Sequence, residues 1–162
     1  MKIRRLTPEN YPKAASLLDH AFVPRRYEVQ LFDKLHEQGR ATHEWVCIHR
    51  DSVVAYIGFT NAYEGKKVVG LHLTLLAVKT KMQGQGIGSE LLRFALRQEI
   101  IKGSTVFVLG DPKFYQKYGF EQCSTPICPL AMGNAHFLSI RNETTRPYTV
   151  GYEPELRRKK SR

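Results

Sequence analysis

The feature that most constrains the fold of this chain is a glycine-rich loop between a strand-like and a helix-like segment. Residues 68–78 form a near-continuous apolar run, which predicts a central strand buried on both faces. Residues 83–88 read Gln-Gly-Gln-Gly-Ile-Gly, and residues 88–102 then repeat apolar side chains at helical spacing. When a strand, a glycine-rich loop and a helix follow one another, the unpaired N–H groups at the helix N-terminus form a binding site for an anion. The sequence therefore predicts an anion-binding turn.

The spacing of the glycines excludes two common nucleotide-binding motifs. A Walker loop ends in Gly-Lys-Ser/Thr, whereas Gly88 is followed by Ser89 and Glu90. The dinucleotide fingerprint GxGxxG, started at Gly84, requires its third glycine at the position of Ser89. The pattern that fits is Gln/Arg-x-x-Gly-x-Gly/Ala, which begins at Gln83.

A second motif lies about thirty residues further on, where a predicted strand at residues 105–109 leads into Asp111-Pro112 and then Phe114-Tyr115-x-x-x-Gly119-Phe120. With both motifs at this spacing, the chain resembles the GNAT superfamily of acyl-CoA-dependent N-acyltransferases, over nearly its whole length. The resemblance implies that acetyl-CoA is the acyl donor. It implies that the glycine loop wraps the pyrophosphate and that the preceding strand end holds the pantetheine arm. The implied cofactor-binding residues are Leu76, Ala77, Val78, Gln83, Gly84, Gln85, Gly86, Ile87, Gly88 and Ser89.

The fold class expected from the pattern is α/β (α+β), because strands and helices alternate around the glycine loop. The resemblance implies a mixed central sheet of about six or seven strands with about four helices, and a parallel pair splayed at the cofactor site. Predicted strands span residues 2–6, 44–49, 53–60, 68–78, 105–109, 136–140 and 148–152. Predicted helices run from Thr7-Pro8 to about Phe22, and over residues 26–38, 88–102 and 112–118.

Tyr115 is the catalytic residue that the resemblance implies, as the general acid that protonates the departing thiolate. Tyr118, one helical turn away, is the alternative. A backbone N–H near Leu76 is expected to stabilise the oxyanion. The base stays open between His72 on the central strand, Glu44 at a strand end, and ordered water. In place of the asparagine and alanine of many members, this chain has Val108 and Asp111, and we expect Asp111 to cap the short helix.

The net charge and the length of the chain limit the classes of partner that we expect. The 162 residues carry a net charge of +10, of which a basic tail at residues 157–162 supplies five, leaving +5 on residues 1–156. We expect residues 1–156 to form a single domain. This charge suits a phosphate-bearing cofactor as well as RNA. No recognisable nucleic-acid module occurs, so nucleic acid is not the expected partner. Arg25 and Arg26, between the first two predicted helices, are candidates to attract an acidic acceptor.

Cysteine and hydropathy patterns exclude other classes. The three cysteines have no metal-ligand spacing, so no metal is expected; Cys47 is placed in the core, whereas Cys128 lies in a loop where it could be exposed. No apolar run approaches the roughly 20 residues needed to span a bilayer. The N-terminal Met-Lys-Ile-Arg-Arg is too charged for a signal peptide, which favours a cytoplasmic protein.

The resemblance implies an enzyme that transfers an acetyl group from acetyl-CoA to a primary amine by direct attack in a ternary complex. The alternatives are an acyl-CoA-binding module without catalysis and a basic, RNA-directed (aminoacyl-tRNA) acetyltransferase. The acceptor is expected to be a small-molecule or peptide amine. Its identity, an acyl group longer than acetyl, and a homodimer formed through the C-terminal strands stay open.

Overall fold

A computed structural model describes residues 1–40, 42–130 and 135–156 of the chain. The predicted basic tail, residues 157–162, lies outside the described residues. The helices are α1 (Tyr11–Ala21), α2 (Tyr27–Glu37), α3 (Ile87–Leu96), α4 (Glu99–Lys102) and α5 (Pro112–Tyr115). The strands are β1 (Lys2–Arg5), β2 (Thr42–His49), β3 (Ser52–Glu64), β4 (Lys67–Val78), β5 (Val106–Leu109), β6 (Glu121–Gln122) and β7 (Phe137–Ile140).

The described strands form one mixed sheet in the order β1-β2-β3-β4-β5-β7-β6. β4 and β5 run parallel, with Leu71 opposite Val106 and Leu73 opposite Val108. The pairs β1–β2, β5–β7 and β6–β7 are antiparallel. This arrangement confirms the predicted α/β class and its parallel pair, and β4 occupies the central position expected for the apolar run at residues 68–78.

The chain divides into two compact units. The first contains Met1–Phe59 and Thr74–Lys102, and the second contains Thr60–Leu73 and Gly103–Arg162. Each unit combines two separate stretches of the sequence, because β3 and β4 each contribute residues to both units. The single domain expected for residues 1–156 stays a prediction.

In the first unit, the predicted apolar face of the helix after the glycine loop is confirmed, and its length is corrected. The helical spacing predicts five inward-facing residues, and all five are buried: Ile87, Leu91, Leu92, Ala95 and Leu96. The helix ends at Leu96 rather than at Lys102, and α4 follows as a separate turn. Backbone bonds from Arg97 to Phe94 and from Gln98 to Ala95 span only three residues, so they tighten and close the last turn.

Two other local predictions in the first unit are corrected, and the second helix is confirmed. The sequence predicts Thr7 as a helix cap, but Thr7 forms no side-chain cap, and Pro8–Asn10 is a 3₁₀ turn ahead of α1. It also predicts an apolar stripe of Tyr11, Ala15, Leu18 and Phe22, of which only Leu18 is buried. The second helix begins at Tyr27 and ends at Glu37, close to the predicted bounds, with Gly39 beyond it at φ 63°.

The polar residues 50–52 predict a hairpin turn, and the φ values of 51° and 65° at Arg50 and Asp51, between β2 and β3, agree with it. The polar residues 61–67 also predict a turn, but β3 continues to Glu64, so that turn is shorter than predicted, with Gly65 at φ 63°. Polar residues within a long strand, such as Asn61, make its sequence resemble a turn. The conformation there is decided by the neighbouring strands, whose residues are distant in sequence.

In the second unit, β7 confirms the strand predicted at residues 136–140, but the strand predicted at residues 148–152 is wrong. That segment forms only isolated bridges, which pair Gly151 with Tyr63 and Thr149 with Ile127. Cys128, expected to be exposable, is buried, and its Sγ lies 3.2 Å from the Tyr152 hydroxyl. No helix in the described part of the chain is long and apolar enough to cross a bilayer.

We predict that adjacent isoleucines of α4 differ sharply in their contribution to stability. Ile101 is fully buried, whereas Ile100 is 45% exposed. Ile101→Ala should lower the free energy of unfolding by about 2–5 kcal/mol through lost burial and a residual cavity. Ile100→Ala, the matched control, should change it by about 0.5 kcal/mol or less. Urea unfolding followed by circular dichroism measures both, and equal effects would contradict this packing of α4.

Candidate active site

The glycine loop adopts the conformation that only glycine accommodates without strain. Gly84 and Gly86 both have φ values of 82°, in the left-handed region. A Cβ at either position would have no atom of the described protein within 4 Å, so the backbone there faces open space. Gly86 is the N-cap residue of the ten-residue helix α3, and no side chain caps that helix. The first N–H groups of α3 and the positive end of its dipole are therefore available to an anion such as a diphosphate.

The loop is tied to the end of β4 by two contacts. The Gln83 side-chain Nε2 donates a hydrogen bond of 3.1 Å to the Val78 carbonyl. A Cβ on Gly88 would lie 3.3 Å from a Val78 methyl group, so glycine lets α3 approach the strand closely. The structure thus places Gln83 and Gly88 against Val78 at the strand end, and the Gln83 side chain links the loop to that strand.

The end of β4 alternates between buried and half-buried residues. Ala77 is buried, whereas Leu76 and Val78 are half-buried. Within β4, three consecutive residues are buried only at positions 71–73, which are also the residues that pair with β5. The expectation that residues 68–78 are buried on both faces therefore holds only at residues 71–73, since Val68 is 51% exposed, residues 69 and 70 are half-buried, and burial alternates beyond Leu73. Between Thr74 and Val78 one side of the strand keeps partial access to solvent.

Tyr115 ends α5 in the second unit, and its phenol is largely buried. Its ring makes edge contacts with Phe114 and Phe120, at centroid distances of 4.9 Å and 5.5 Å. Gly110 packs directly against the ring, since a Cβ there would come within 2.4 Å of it. Burial raises the pKa of Tyr115 to about 12, so the hydroxyl keeps its proton throughout the physiological range.

The turn around Tyr115 is formed as the sequence predicts. Asp111 accepts a hydrogen bond of 3.0 Å from the Lys113 backbone N–H, which confirms it as the helix cap. A 3₁₀ turn over Gln116–Tyr118 follows α5, and Gly119 ends it at φ 96°. Tyr118, the alternative acid, is half-buried, with its ring 5.3 Å from that of Phe114.

His72, a candidate base, lies in a buried stack in the second unit. Its ring is parallel to that of Tyr152 at 3.7 Å, and its Nε2 donates a hydrogen bond of 3.0 Å to the Gly151 carbonyl. Burial lowers the pKa of His72 to about 4, although the bond to Gly151 acts in the opposite direction. His72 is therefore neutral at pH 7 and a weak acceptor of protons.

Glu44, the other candidate base, is buried rather than solvated at a strand end. Its Oε1 accepts from His36 Nε2 at 2.9 Å and from the Thr42 hydroxyl at 3.1 Å, and its Oε2 accepts from the Tyr56 hydroxyl at 2.6 Å. His36 also donates from Nδ1 to the Phe32 carbonyl. Burial lowers the pKa of His36, but these acceptors outweigh it and raise the pKa above the usual value. Glu44 is thus the counter-ion of a protonated histidine within the first unit.

Sequence reasoning missed the partners of both candidate bases. His36 and Tyr56 around Glu44, and Tyr152 beside His72, come from other elements, and no spacing rule connects them. The burial of Glu44 had one available signal, since it precedes the apolar run that begins at Trp45 within the same strand.

The remaining candidates are accounted for locally. Arg25 pairs with Glu28 at 2.8 Å, and Arg26 pairs with Asp19 at 3.3 Å, so each arginine already has a carboxylate partner. Cys47 is buried, as expected for a core residue. Within the residues that the structure describes, no three His, Cys, Asp or Glu side chains cluster as metal ligands would.

Comparison with known proteins gives one consistent result. The profile of the acetyltransferase (GNAT) domain matches residues 40–122. The uncharacterized N-acetyltransferase YhbS of Escherichia coli K12 is 31% identical over 124 residues, which cover 75% of this chain and 74% of that protein. YjhQ, an uncharacterized N-acetyltransferase of the same organism, is 34% identical over 92 residues, which cover 54% of this chain and 51% of YjhQ. The chain thus spans about half the length of YjhQ.

Two solved structures share the fold over nearly the whole chain. The E. coli GNAT family N-acetyltransferase YhbS, crystallised in complex with CoA, superimposes with a TM-score of 0.88 at 26% identity, covering 97% of this chain and 92% of that one. A GNAT family acetyltransferase from Brucella melitensis, crystallised in complex with acetyl-CoA, superimposes with a TM-score of 0.80 at 23% identity, covering 96% and 97%.

We predict that His72 makes the stability of the protein depend on pH. Because its pKa is lowered to about 4, its contribution is fully present above pH 6.5 and is lost as the pH falls from 6.5 to 4. The loss approaches about 1.4 kcal/mol per pH unit, the value for one proton. Urea unfolding of wild type, His72→Gln and the exposed control His20→Gln measures it. The His72→Gln curve should be flatter than the other two, and three parallel curves between pH 7 and pH 4 would refute the burial of a neutral His72.

Proposed function

The chain belongs to the GNAT family of acetyltransferases, and from that premise we propose that it transfers an acetyl group from acetyl-CoA to a primary amine by direct attack in a ternary complex. The observation that carries the proposal is the open, left-handed glycine loop at the uncapped N-terminus of α3. The CoA complex of YhbS supports the choice of donor. The cytoplasmic location expected from the sequence is part of this proposal.

In this proposal the glycine loop holds the diphosphate of acetyl-CoA. Backbone N–H groups at residues 84–88 are the donors, and residues 76–78 at the end of β4 hold the pantetheine arm. Gln83 and Ser89 flank the loop, with Gln83 acting through its bond to the Val78 carbonyl. Acetyl-CoA supplies the acyl group as a thioester, and the thiolate of CoA is the leaving group of the transfer. No side chain of the loop needs to carry charge, because the helix dipole and unpaired N–H groups supply the attraction.

Tyr115 is the proposed general acid. Its Oη gives its proton to the sulfur of the departing thiolate as the carbon–sulfur bond breaks. A pKa of about 12 keeps that proton in place before the reaction, and burial excludes the water that would otherwise compete for it. Gly110 and Phe120 fix the ring, so the phenol points in one direction before the substrate arrives.

Water, rather than His72 or Glu44, is the proposed acceptor of the amine proton. The lowered pKa of His72 makes it a poor base at neutral pH. Glu44 accepts from three side chains, and proton transfer to it would break the ion pair with His36. The acceptor amine is therefore expected to enter as its neutral form or to lose its proton to solvent, so the rate rises with pH towards the pKa of the amine.

We predict that Gly86→Ala weakens CoA binding far more than it destabilises the fold. The left-handed conformation costs an alanine about 1–2 kcal/mol. Gly39→Ala is the matched control, because Gly39 has φ 63° and equally open surroundings in the same unit. Both variants should lose similar stability, while Gly86→Ala alone should raise the dissociation constant for CoA at least tenfold. Isothermal titration gives the constants, and unchanged CoA affinity in Gly86→Ala would exclude the loop as the diphosphate site.

We predict that Tyr115→Phe lowers kcat by about 10²- to 10⁴-fold, the usual contribution of a general acid. The dissociation constant for CoA should stay within about twofold. Tyr118→Phe is the control, since it removes a neighbouring phenol, and its kcat should stay near that of wild type. Thiol release from acetyl-CoA with a panel of primary amines measures kcat.

The same assay separates the alternatives. A loss of kcat in Tyr118→Phe with none in Tyr115→Phe would transfer the acid role to Tyr118. CoA binding by the wild type without acylation of any amine would favour a binding module that lacks catalysis. Acylation of aminoacyl-tRNA but of no free amine would favour the RNA-directed acetyltransferase.

A further inference from the structure

A cavity of about 570 Å³ lies in the first unit, within the described part of the chain, and the glycine loop does not line it. Its walls come from α1, from the β2–β3 hairpin and from the segment that follows β4. We call it the lysine pocket, after Lys13, Lys79 and Lys81, which line it together with His20. Its volume is within the range of sites that take small molecules, about 300–1,000 Å³.

The charge of the lysine pocket is strongly unbalanced. Three ammonium groups line it, and Asp51 is the one carboxylate among its described lining residues. Neither Lys79 nor Lys81 forms an ion pair with another described residue. Lys13 Nζ donates to the backbone carbonyl of Asp51 at 2.7 Å, which leaves its charge uncompensated. Part of the excess positive charge of residues 1–156 is therefore concentrated in one cavity.

The backbone that carries these lysines is held in place. The Lys79 N–H donates to the Val54 carbonyl at 2.8 Å, and the Met82 N–H closes a 3₁₀ turn onto the Lys79 carbonyl at 2.8 Å. On the opposite wall, Asp51 sits in the left-handed turn of the hairpin, where Lys13 fixes its carbonyl. The cations thus come from two elements, α1 and the segment after β4, and the hairpin supplies the third wall of the pocket.

The floor of the lysine pocket is apolar. Leu17 and Val53 line it and are each more than nine-tenths buried. A lining that combines three lysines with apolar side chains suits a ligand that has both an anionic head and an organic body. A phosphate monoester meets this requirement, since it carries about −1.5 to −2 charges at pH 7 and several acceptor oxygens.

We propose that the lysine pocket binds the phosphate group of a phosphate monoester, with Lys13, Lys79 and Lys81 as the charged donors. Two sources carry this group: the 3′-phosphate of CoA and a separate phosphorylated small molecule. Lys79 and Lys81 lie between β4 and the glycine loop in sequence, so the first source would extend the proposed CoA site. The second source would make the pocket an independent site, whether or not the chain is an acetyltransferase.

The test compares variants that remove the same charge at different places. Lys13→Gln/Lys81→Gln removes two cations from the pocket, and Lys2→Gln/Lys34→Gln removes two exposed cations elsewhere in the first unit. Lys81→Gln alone serves if the pocket double variant does not fold. The probes are CoA, dephospho-CoA, which lacks the 3′-phosphate, and phenyl phosphate, whose ring matches the apolar floor. Isothermal titration at fixed ionic strength gives each dissociation constant.

If CoA is the source, the pocket variant should bind CoA at least tenfold more weakly, bind dephospho-CoA as the wild type does, and CoA should displace phenyl phosphate. If a separate molecule is the source, CoA and dephospho-CoA should bind wild type and pocket variant alike. Phenyl phosphate should then still bind the wild type when it is saturated with CoA. It should bind the pocket variant at least tenfold more weakly than it binds the wild type. Equal affinities of the pocket and control variants for all three probes would overturn the proposal. The phenyl phosphate arm decides the matter even if no CoA binds.

Discussion

Two left-handed glycines directly before an uncapped helix are the constraint on which the proposed chemistry depends. Gly84 and Gly86 turn the chain at φ 82° and leave open space where any other residue would carry a Cβ. The Gln83–Val78 hydrogen bond and the close contact of Gly88 with Val78 hold that turn against β4. In the proposed site the donors are backbone N–H groups, so the attraction of an anion needs no charged side chain.

The titratable groups that bear on the proposed chemistry are Glu44 and His36 in the first unit, and His72 and the proposed acid Tyr115 in the second. In the first unit, Glu44 neutralises His36 and accepts from Tyr56, so this network stabilises the packing of α2 on β2 and β3. In the second unit, His72 stacks on Tyr152 as a neutral ring. Burial raises the pKa of the Tyr115 phenol, so it keeps its proton at neutral pH, and passing that proton to a thiolate is an uphill step. Burial thus lowers the basicity of His72 and also weakens Tyr115 as an acid.

Local patterns in the sequence were sufficient for several elements that neighbouring residues decide. The Asp111 cap, the apolar face of α3 and the glycine turns are of this kind, since each depends on residues within one turn of the chain. The Thr7 cap is a local prediction that failed, whereas the failures at buried polar groups have a long-range cause. Glu44 is buried by partners eight and twelve residues away, and Cys128 is covered by Tyr152, 24 residues on. The lysine pocket likewise joins three segments that no motif connects, so only the folded chain brings its cations together.

The most direct test of the glycine loop as the diphosphate site is a titration of the ¹⁵N-labelled protein with CoA, followed by the backbone amide resonances. The largest saturable shifts should fall on the amides of residues 84–88, because hydrogen bonds to a diphosphate deshield those N–H groups most strongly. Saturable binding that leaves these amides unchanged, or a protein that shows no binding at millimolar CoA, would contradict the assignment.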